Sequence, residues 1–143
     1  MLIGLEQIKN DLKRMTHPDA YVSLFREIGT LLLDTIKSKT NSGLDYLNRR
    51  FSPYSEAYKK LKLKKALYTG RVNLRYTGQM MDSMIKVEAP KEVRITFSNA
   101  EAKEKAVYNQ EGDTPREFMN ASKEIEAQID GMVIKHIDKM LGM

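Results

Sequence analysis

The sequence predicts an α+β fold, in which long helices pack on a small, mainly antiparallel sheet built around a β-hairpin. Apolar residues recur at helical spacing in the stretches 18–40 and 122–141, which predicts two long helices. Between them, the stretch 85–97 alternates apolar and polar residues on both sides of a short turn, which predicts a hairpin. Because a two-stranded hairpin alone is only marginally stable in water, we expect a helix to cover its apolar face.

The first two predicted helices precede the most basic part of the chain. Apolar residues at helical spacing in 4–15 predict a short amphipathic helix, and Pro18 stands near the start of the longer helix 18–40. That helix is predicted to end before Gly43, because glycine readily adopts the left-handed conformation that closes a helix.

A third helix is predicted to open at Ser52-Pro53 and to continue to about residue 66. Serine can accept hydrogen bonds from the first free amides, and proline at the next position has no amide to leave unpaired. The outer face of this helix is almost all lysine. The stretches 41–52 and 67–76 are predicted to be extended, arm-like loops.

The segment before the hairpin is predicted to be a short helical turn. Thr77 precedes Gly78 and can accept a hydrogen bond from an amide of the next turn, so it is the predicted N-cap. The three methionines that follow suit a core better than an interface, although methionine is adaptable enough for both. One apolar face of the hairpin is predicted to cover the 18–40 helix. This face is formed by Ile85, Val87, Val93, Ile95 and Phe97.

The C-terminal part completes a single domain over residues 1–143, with 1–16 as an N-terminal helix or arm. A short helix is predicted over 100–109, a loop over 110–115 and a third strand over 116–119, before the final helix over 122–141. A chain of 143 residues has the size of one ordinary domain.

Charge is divided unevenly along the chain. Residues 49–75 contain nine Lys or Arg against the single acid Glu56, a net charge of +8, whereas residues 100–131 carry a net charge of −4. A chain with opposite poles can bind nucleic acid through its basic part. It can equally dock on copies of itself or on an acidic neighbour. Composition leaves these alternatives open.

Several chemistries have no support in the sequence. Cysteine is absent, which excludes disulfides and thiolate metal sites and agrees with a reducing cytosol. His17 and His136 are isolated from other ligands, Gly70 and Gly78 do not form a phosphate-binding loop, and Ser83 lies in no nucleophile elbow. The N-terminus is not typical of a signal peptide, and no apolar stretch is long enough for a membrane span. We therefore predict no enzyme, no cofactor, no metal site and no membrane association.

The basic segment is the strongest candidate binding surface. Tyrosines lie among its lysines and arginines, as in proteins that stack bases while they contact phosphates. No recognised nucleic-acid motif accompanies them, and runs of lysine are usually a solvated face. The candidate residues in this segment are Tyr54, Tyr58, Lys59, Lys60, Lys62, Arg71 and Arg75.

Five short motifs occur in a fixed order: Phe25-x-x-Ile28-Gly29, Arg50-Phe51-Ser52-Pro53-Tyr54-Ser55 with Tyr58, Leu74-x-x-Thr77-Gly78-Gln79-x-x-x-Ser83, Lys105-Ala106-x-Tyr108-Asn109-Gln110-x-Gly112, and Pro115-Arg116-Glu117-Phe118. Together they resemble the virion-morphogenesis, tail-completion or neck proteins of tailed phages, which join head to tail. The resemblance covers about residues 20–140. Gln79-Met80 departs from the hydrophobic step that the family usually has after Thr-Gly.

This resemblance implies an α+β subunit without catalysis. It would assemble as a ring between the portal complex and the tail tube, in the virion neck, after synthesis in the host cytoplasm. Its partners would be further copies of itself and neighbouring connector, stopper, terminator or tail-tube proteins, with packaged DNA nearby. The motifs add these candidate interface residues: Thr77, Gly78, Ser83, Tyr108, Gly112, Pro115, Arg116 and Phe118.

Overall fold

A computed structural model describes residues 4–65, 72–74 and 78–142, which form six helices and two strands. The helices are α1 (Gly4–Thr16), α2 (Val22–Asn41), α3 (Glu56–Lys64), α4 (Gln79–Asp82), α5 (Ala100–Glu111) and α6 (Lys123–Met140), and the strands are β1 (Met84–Ala89) and β2 (Glu92–Phe97). The predicted α+β class is confirmed. Helix α2 lies between the hairpin on one side and α6 on the other.

Most predicted helices are present, with local shifts at their ends. Helix α2 begins at Val22 rather than near Pro18 and is followed by Gly43 with φ +80°, as its sequence predicts. Helix α3 begins at Glu56, because the Ser55 side chain, not Ser52, accepts the Tyr58 amide at 3.2 Å. The predicted Thr77 cap lies outside the described residues. Of the predicted arm over 67–76, the structure describes residues 72–74.

The strands β1 and β2 pair antiparallel across a two-residue turn. Met84 stands opposite Phe97 and Lys86 opposite Ile95, so these four side chains share one face of the hairpin. That face lies against the core, since Met84 is 1% exposed and both Ile95 and Phe97 pack on the core cluster.

The prediction that Ile85 and Val87 belong to the core face is wrong. They are 37% and 45% exposed and lie on the other face of β1. Lys86 takes the inner position, where its Nζ donates to Thr30 Oγ1 at 2.8 Å and to the Arg26 carbonyl at 3.2 Å, both in α2. A period-two pattern defines two faces but not which one is buried; the buried Met84 at the start of β1 decides it.

The core joins α2, α4, the hairpin and α5 with three loop segments. Its buried members are Ile36, Phe51, Leu74, Met80, Met81, Met84, Ala106 and Phe118. The predicted core role of the methionine cluster is therefore confirmed. Gly29 in α2 approaches the hairpin so closely that a Cβ there would lie 2.7 Å from Val93 Cγ2.

The predicted third strand over 116–119 is wrong, because other groups satisfy its backbone. The Phe118 and Met119 amides both donate to Gln110 Oε1 at 3.1 Å, and the Glu117 carbonyl accepts from the Tyr46 amide at 3.1 Å. These bonds leave the segment no need of a strand partner. The described residues therefore form a two-stranded sheet.

The predicted arm over 41–52 is also wrong, because this stretch is a compact loop. Asp45 is 8% exposed, and its Oδ1 accepts from the Leu47 and Arg49 amides, each at 2.9 Å. Its Oδ2 accepts from Arg49 Nε at 3.0 Å. A carboxylate that organises three donors in this way folds the loop back on itself.

Candidate functional site

A cavity of about 490 Å³ lies where the segment before α3, the start of α4, the α5 helix and the loop after α5 meet. Its volume is in the range of ligand-binding clefts. It is lined by Pro53, Tyr54, Ser55, Tyr58, Leu74, Gly78, Gln79, Met80, Lys105, Tyr108, Asn109, Thr114 and Arg116.

Tyr54 forms the centre of one wall. Its Oη accepts a hydrogen bond from the Leu74 amide at 3.0 Å, and its ring meets the ring of Tyr58 edge-on, with the centroids 4.7 Å apart. Burial raises the pKa of the Tyr54 hydroxyl, against the opposing effect of the Leu74 amide. The side chain therefore connects the approach to α3 with residues 72–74 and stays neutral at physiological pH.

Arg116 is held in position by the backbone before α3. Its Nε donates to the Ser52 carbonyl and its Nη2 to the Pro53 carbonyl, each at 3.0 Å, and its Cζ lies 5.1 Å from the centroid of the Tyr54 ring. These contacts explain why α3 does not begin at Pro53. The carbonyls of Ser52 and Pro53 are already bound to the Arg116 side chain, which comes from the loop after α5.

Lys62 contradicts the prediction of a lysine-covered α3. Its exposed fraction is 0%, its Nζ lies 4.8 Å from the centroid of the Tyr54 ring, and it donates to Asn73 Oδ1 at 3.2 Å. Burial lowers the pKa of the ammonium group. Tyr58 and Lys62 are spaced four residues apart in α3, which places their side chains on the same side of the helix, and Tyr54 lies just before the helix begins. The outward residues Leu61 and Leu63 are 41% and 59% exposed.

The α5 wall supplies polar groups. Lys105 Nζ lies 3.0 Å from Gln79 Oε1 and 3.1 Å from a carboxylate oxygen of Glu101, while Asn109 Nδ2 donates to the Lys105 carbonyl at 2.9 Å. Tyr108 is 67% exposed at the rim of the cavity. The cavity thus combines aromatic rings, amides and two cationic side chains.

The structure brings together part of the predicted site. Of the fifteen candidate residues, five line the cavity and Lys62 lies next to it: the five are Tyr54, Tyr58, Gly78, Tyr108 and Arg116. Gly78 adopts φ +84° as the residue before α4, a conformation that favours glycine. Arg71, Arg75 and Thr77 lie outside the described residues.

The remaining candidates have structural or surface positions. Phe118 is buried in the core, and the Ser83 hydroxyl donates to the Gln79 carbonyl at the end of α4. Gly112 ends α5, where a Cβ would lie 2.3 Å from the Tyr108 carbonyl oxygen. Lys59 pairs with Glu56 at 3.4 Å on the outer side of α3. The two others, Lys60 and Pro115, are exposed.

Sequence reasoning missed several lining residues. Lys105 and Asn109 are spaced four residues apart on α5, with Tyr108 between them, so helical spacing could have identified this wall. Ser55, Gln79 and Thr114 carry no such signal, because only the folded chain brings their segments to one place.

Within the described ranges, no three His, Asp or Glu side chains are grouped so that they could hold a metal ion. No helix in the described part of the chain combines the length and apolar character that a membrane span requires.

Comparison with protein-family models, with curated proteins and with solved structures finds no match in any of the three.

Proposed function

We propose that this chain is a structural head–tail joining protein of a tailed phage or prophage, which completes the tail and forms part of the neck ring. The supporting observation is that four of the five resemblance motifs, distant in sequence, each contribute to one cavity. They do so through Pro53 and Tyr54, through Gly78 and Gln79, through Tyr108 and Asn109, and through Arg116.

The remaining motif has a packing role that suits the same proposal. Gly29 lets α2 lie directly on the hairpin, which gives the small α+β subunit a rigid centre. The cavity and the exposed α3 side chains are then free to contact neighbouring subunits. In this proposal the subunit assembles as a ring with copies of itself and docks on connector or tail-tube proteins, without a chemical step.

Two alternative functions are compatible with the same structural features. A tail terminator or a head-side connector would use the same surfaces in another layer of the neck. From a different class, a DNA- or RNA-binding protein is favoured by the lysines along α3 and at its C-terminal end, namely Lys59, Lys60, Lys64 and Lys65. Of these, Lys59 is half-buried and the other three are exposed.

The test combines a mass measurement with a joining assay. Native mass spectrometry of the purified chain, alone and with neck extracts, should give a closed ring of identical subunits. Tail-less heads and free tails from a phage that lacks this gene product should join when the chain is added. A chain that stays monomeric in both settings and leaves joining unchanged would contradict the proposal.

A rim variant connects this function to the cavity. Tyr108→Ala removes an exposed ring from the cavity rim, so the fold should persist while joining falls at least tenfold. Val107→Ala is the matched control, because Val107 is 51% exposed on the same helix and does not line the cavity. Equal joining by both variants would remove the cavity from the proposed docking surface.

A further inference from the structure

Two cations at the cavity wall, Arg116 and Lys62, have no carboxylate partner among the described residues. Arg116 binds two backbone carbonyls and Lys62 binds an amide oxygen. Taking a cation out of water is costly unless an opposite charge compensates it, so this wall is poised for an anion.

Arg116 also retains hydrogen-bond donors that can point into the cavity. A guanidinium has five N–H donors, of which the Ser52 and Pro53 carbonyls take two. Arg116 lines the cavity, whereas Lys62 lies behind Tyr54 and contributes charge without contact. Lys105 adds a second cation to the lining, and it is only partly compensated by the exposed Glu101.

We propose that this cavity binds an acidic side chain in an extended segment of a partner protein. The planar guanidinium of Arg116 would hold the carboxylate, and the side chain of Asn109 would hydrogen-bond the backbone of the segment. Tyr58 and Tyr108 would pack on the flanking residues. This inference goes beyond the neck assignment and does not depend on it, because it rests on the charge and shape of the cavity.

A peptide carboxylate fits this cavity better than nucleic acid does. Double-stranded DNA presents its phosphates on a convex surface, which cannot reach a half-buried guanidinium in a recess. The exposed lysines of α3 lie on the outer side of that helix and do not line the cavity. The Asn109 side chain can both donate and accept, which suits the alternating groups of a peptide backbone.

The test uses a blocked peptide with two adjacent glutamates between glycines, and the same peptide with glutamines. NMR titration of the full chain should give saturable binding of the glutamate peptide, with the largest shifts at Tyr58, Tyr108 and Asn109. The glutamine peptide should bind at least tenfold more weakly. Equal binding of both peptides, or no binding of either, would overturn the proposal.

Variants assign the effect to the cavity cations. Arg116→Gln should weaken binding at least tenfold, while Arg116→Lys should retain part of it. Lys105→Gln should weaken binding at least threefold, and Lys103→Gln, an exposed lysine of the same helix outside the cavity, should bind as the wild type does. If Arg116→Gln fails to fold, the Lys105 and Lys103 pair decides: equal binding by these two variants would refute the proposal.

Two further probes separate the sources of an anion. Inorganic phosphate and a short oligothymidylate are titrated against the same chain under the same salt. We expect both to bind more weakly than the glutamate peptide and to leave the Asn109 side-chain signal unchanged. Tighter binding of the oligothymidylate at these residues would overturn the assignment to a protein partner in favour of a nucleic acid.

Discussion

Gly29 and Val93 are in such close contact that no side chain fits between α2 and the hairpin. A Cβ at position 29 would lie 2.7 Å from Val93 Cγ2 and 3.1 Å from Lys86 Cδ. Both neighbours are side chains of the hairpin, one of them β-branched and therefore stiff. The distance between helix and hairpin thus depends on the absence of a side chain at this position.

Gly29→Ala should destabilise the domain. Alanine is the better helix former by about 0.5–1 kcal/mol, but overpacking at a tight contact costs roughly 1–3 kcal/mol. We expect a net loss of up to about 2.5 kcal/mol in the free energy of unfolding, measured by urea denaturation. Gly131→Ala in α6 is the control: nothing lies within 4 Å of its Cβ, so only the helix gain of about 0.5–1 kcal/mol remains. Equal effects at the two glycines would contradict the close contact.

The two faces of the hairpin should respond differently to a charge. Ile95 is half-buried against the core, so Ile95→Asp should lose part of the roughly 1.5–3 kcal/mol that full burial of such a side chain contributes, and the cost of burying a carboxylate is added. We expect it to unfold the domain. Val87→Asp, on the exposed face and directly opposite Arg94, should change stability by less than about 1 kcal/mol. Thermal unfolding, followed by circular dichroism, measures the stability of both variants. A larger loss of stability for Val87→Asp than for Ile95→Asp would show that Val87 lies on the core face.

Lys62 should make stability depend on pH in the alkaline range. Burial lowers its pKa below the 10.5 of a free lysine, so between the two values the unfolded chain binds a proton that the folded chain has released. The free energy of unfolding should therefore rise with pH in this window. Below this pH window Lys62 is charged in the folded chain, so the full cost of burying the charge is present. Above pH 10.5 Lys62 is neutral in both states and this cost is absent.

The measurement compares the wild type with Lys62→Met from about pH 7 to about pH 10. The difference in unfolding free energy should shift in favour of the wild type as the pH rises. Titration of Tyr54 is common to both chains and cancels in the difference. Lys60→Met, at an exposed lysine of the same helix, should give no such shift. A difference independent of pH at position 62 would mean that Lys62 is not desolvated in solution.

The outer lysines of α3 separate docking from nucleic-acid binding. If Lys59, Lys60, Lys64 and Lys65 each neutralise a phosphate of duplex DNA, the slope of log affinity against log salt should be near −3.6, at about −0.9 per contact. The buried Lys62 cannot contribute. We expect only weak DNA binding, because the proposed neck protein uses this face for encounter with a neighbour.

A charge reversal on α3 completes that test. Lys59/Lys60/Lys64→Glu should block head–tail joining while the fold persists. Lys123/Lys135/Lys139→Glu makes the same change of charge on α6, at three exposed positions, and should leave joining intact. Tight, salt-sensitive DNA binding by the wild type, together with normal joining by the α3 variant, would favour the nucleic-acid alternative.

Periodicity in the sequence determined the long elements. The stripe of α2, the alternation of β1 and β2 and the stripe of α6 each repeat over enough residues that local geometry decides the structure. Short signals were less reliable. The sequence predicts that α3 opens at Ser52, whereas Arg116 binds the carbonyls of Ser52 and Pro53 and the cap is Ser55.

Tertiary structure alone decided which faces and charges are buried. The alternation of β1 has two faces, and the burial of Met84 turned Lys86 inward and Val87 outward. In the same way, the sequence marks Lys62 as one lysine among many, and only packing places it beneath Tyr54. The cavity also depends on tertiary packing. Its walls come from segments up to about sixty residues apart, and no local pattern encodes a contact of that range.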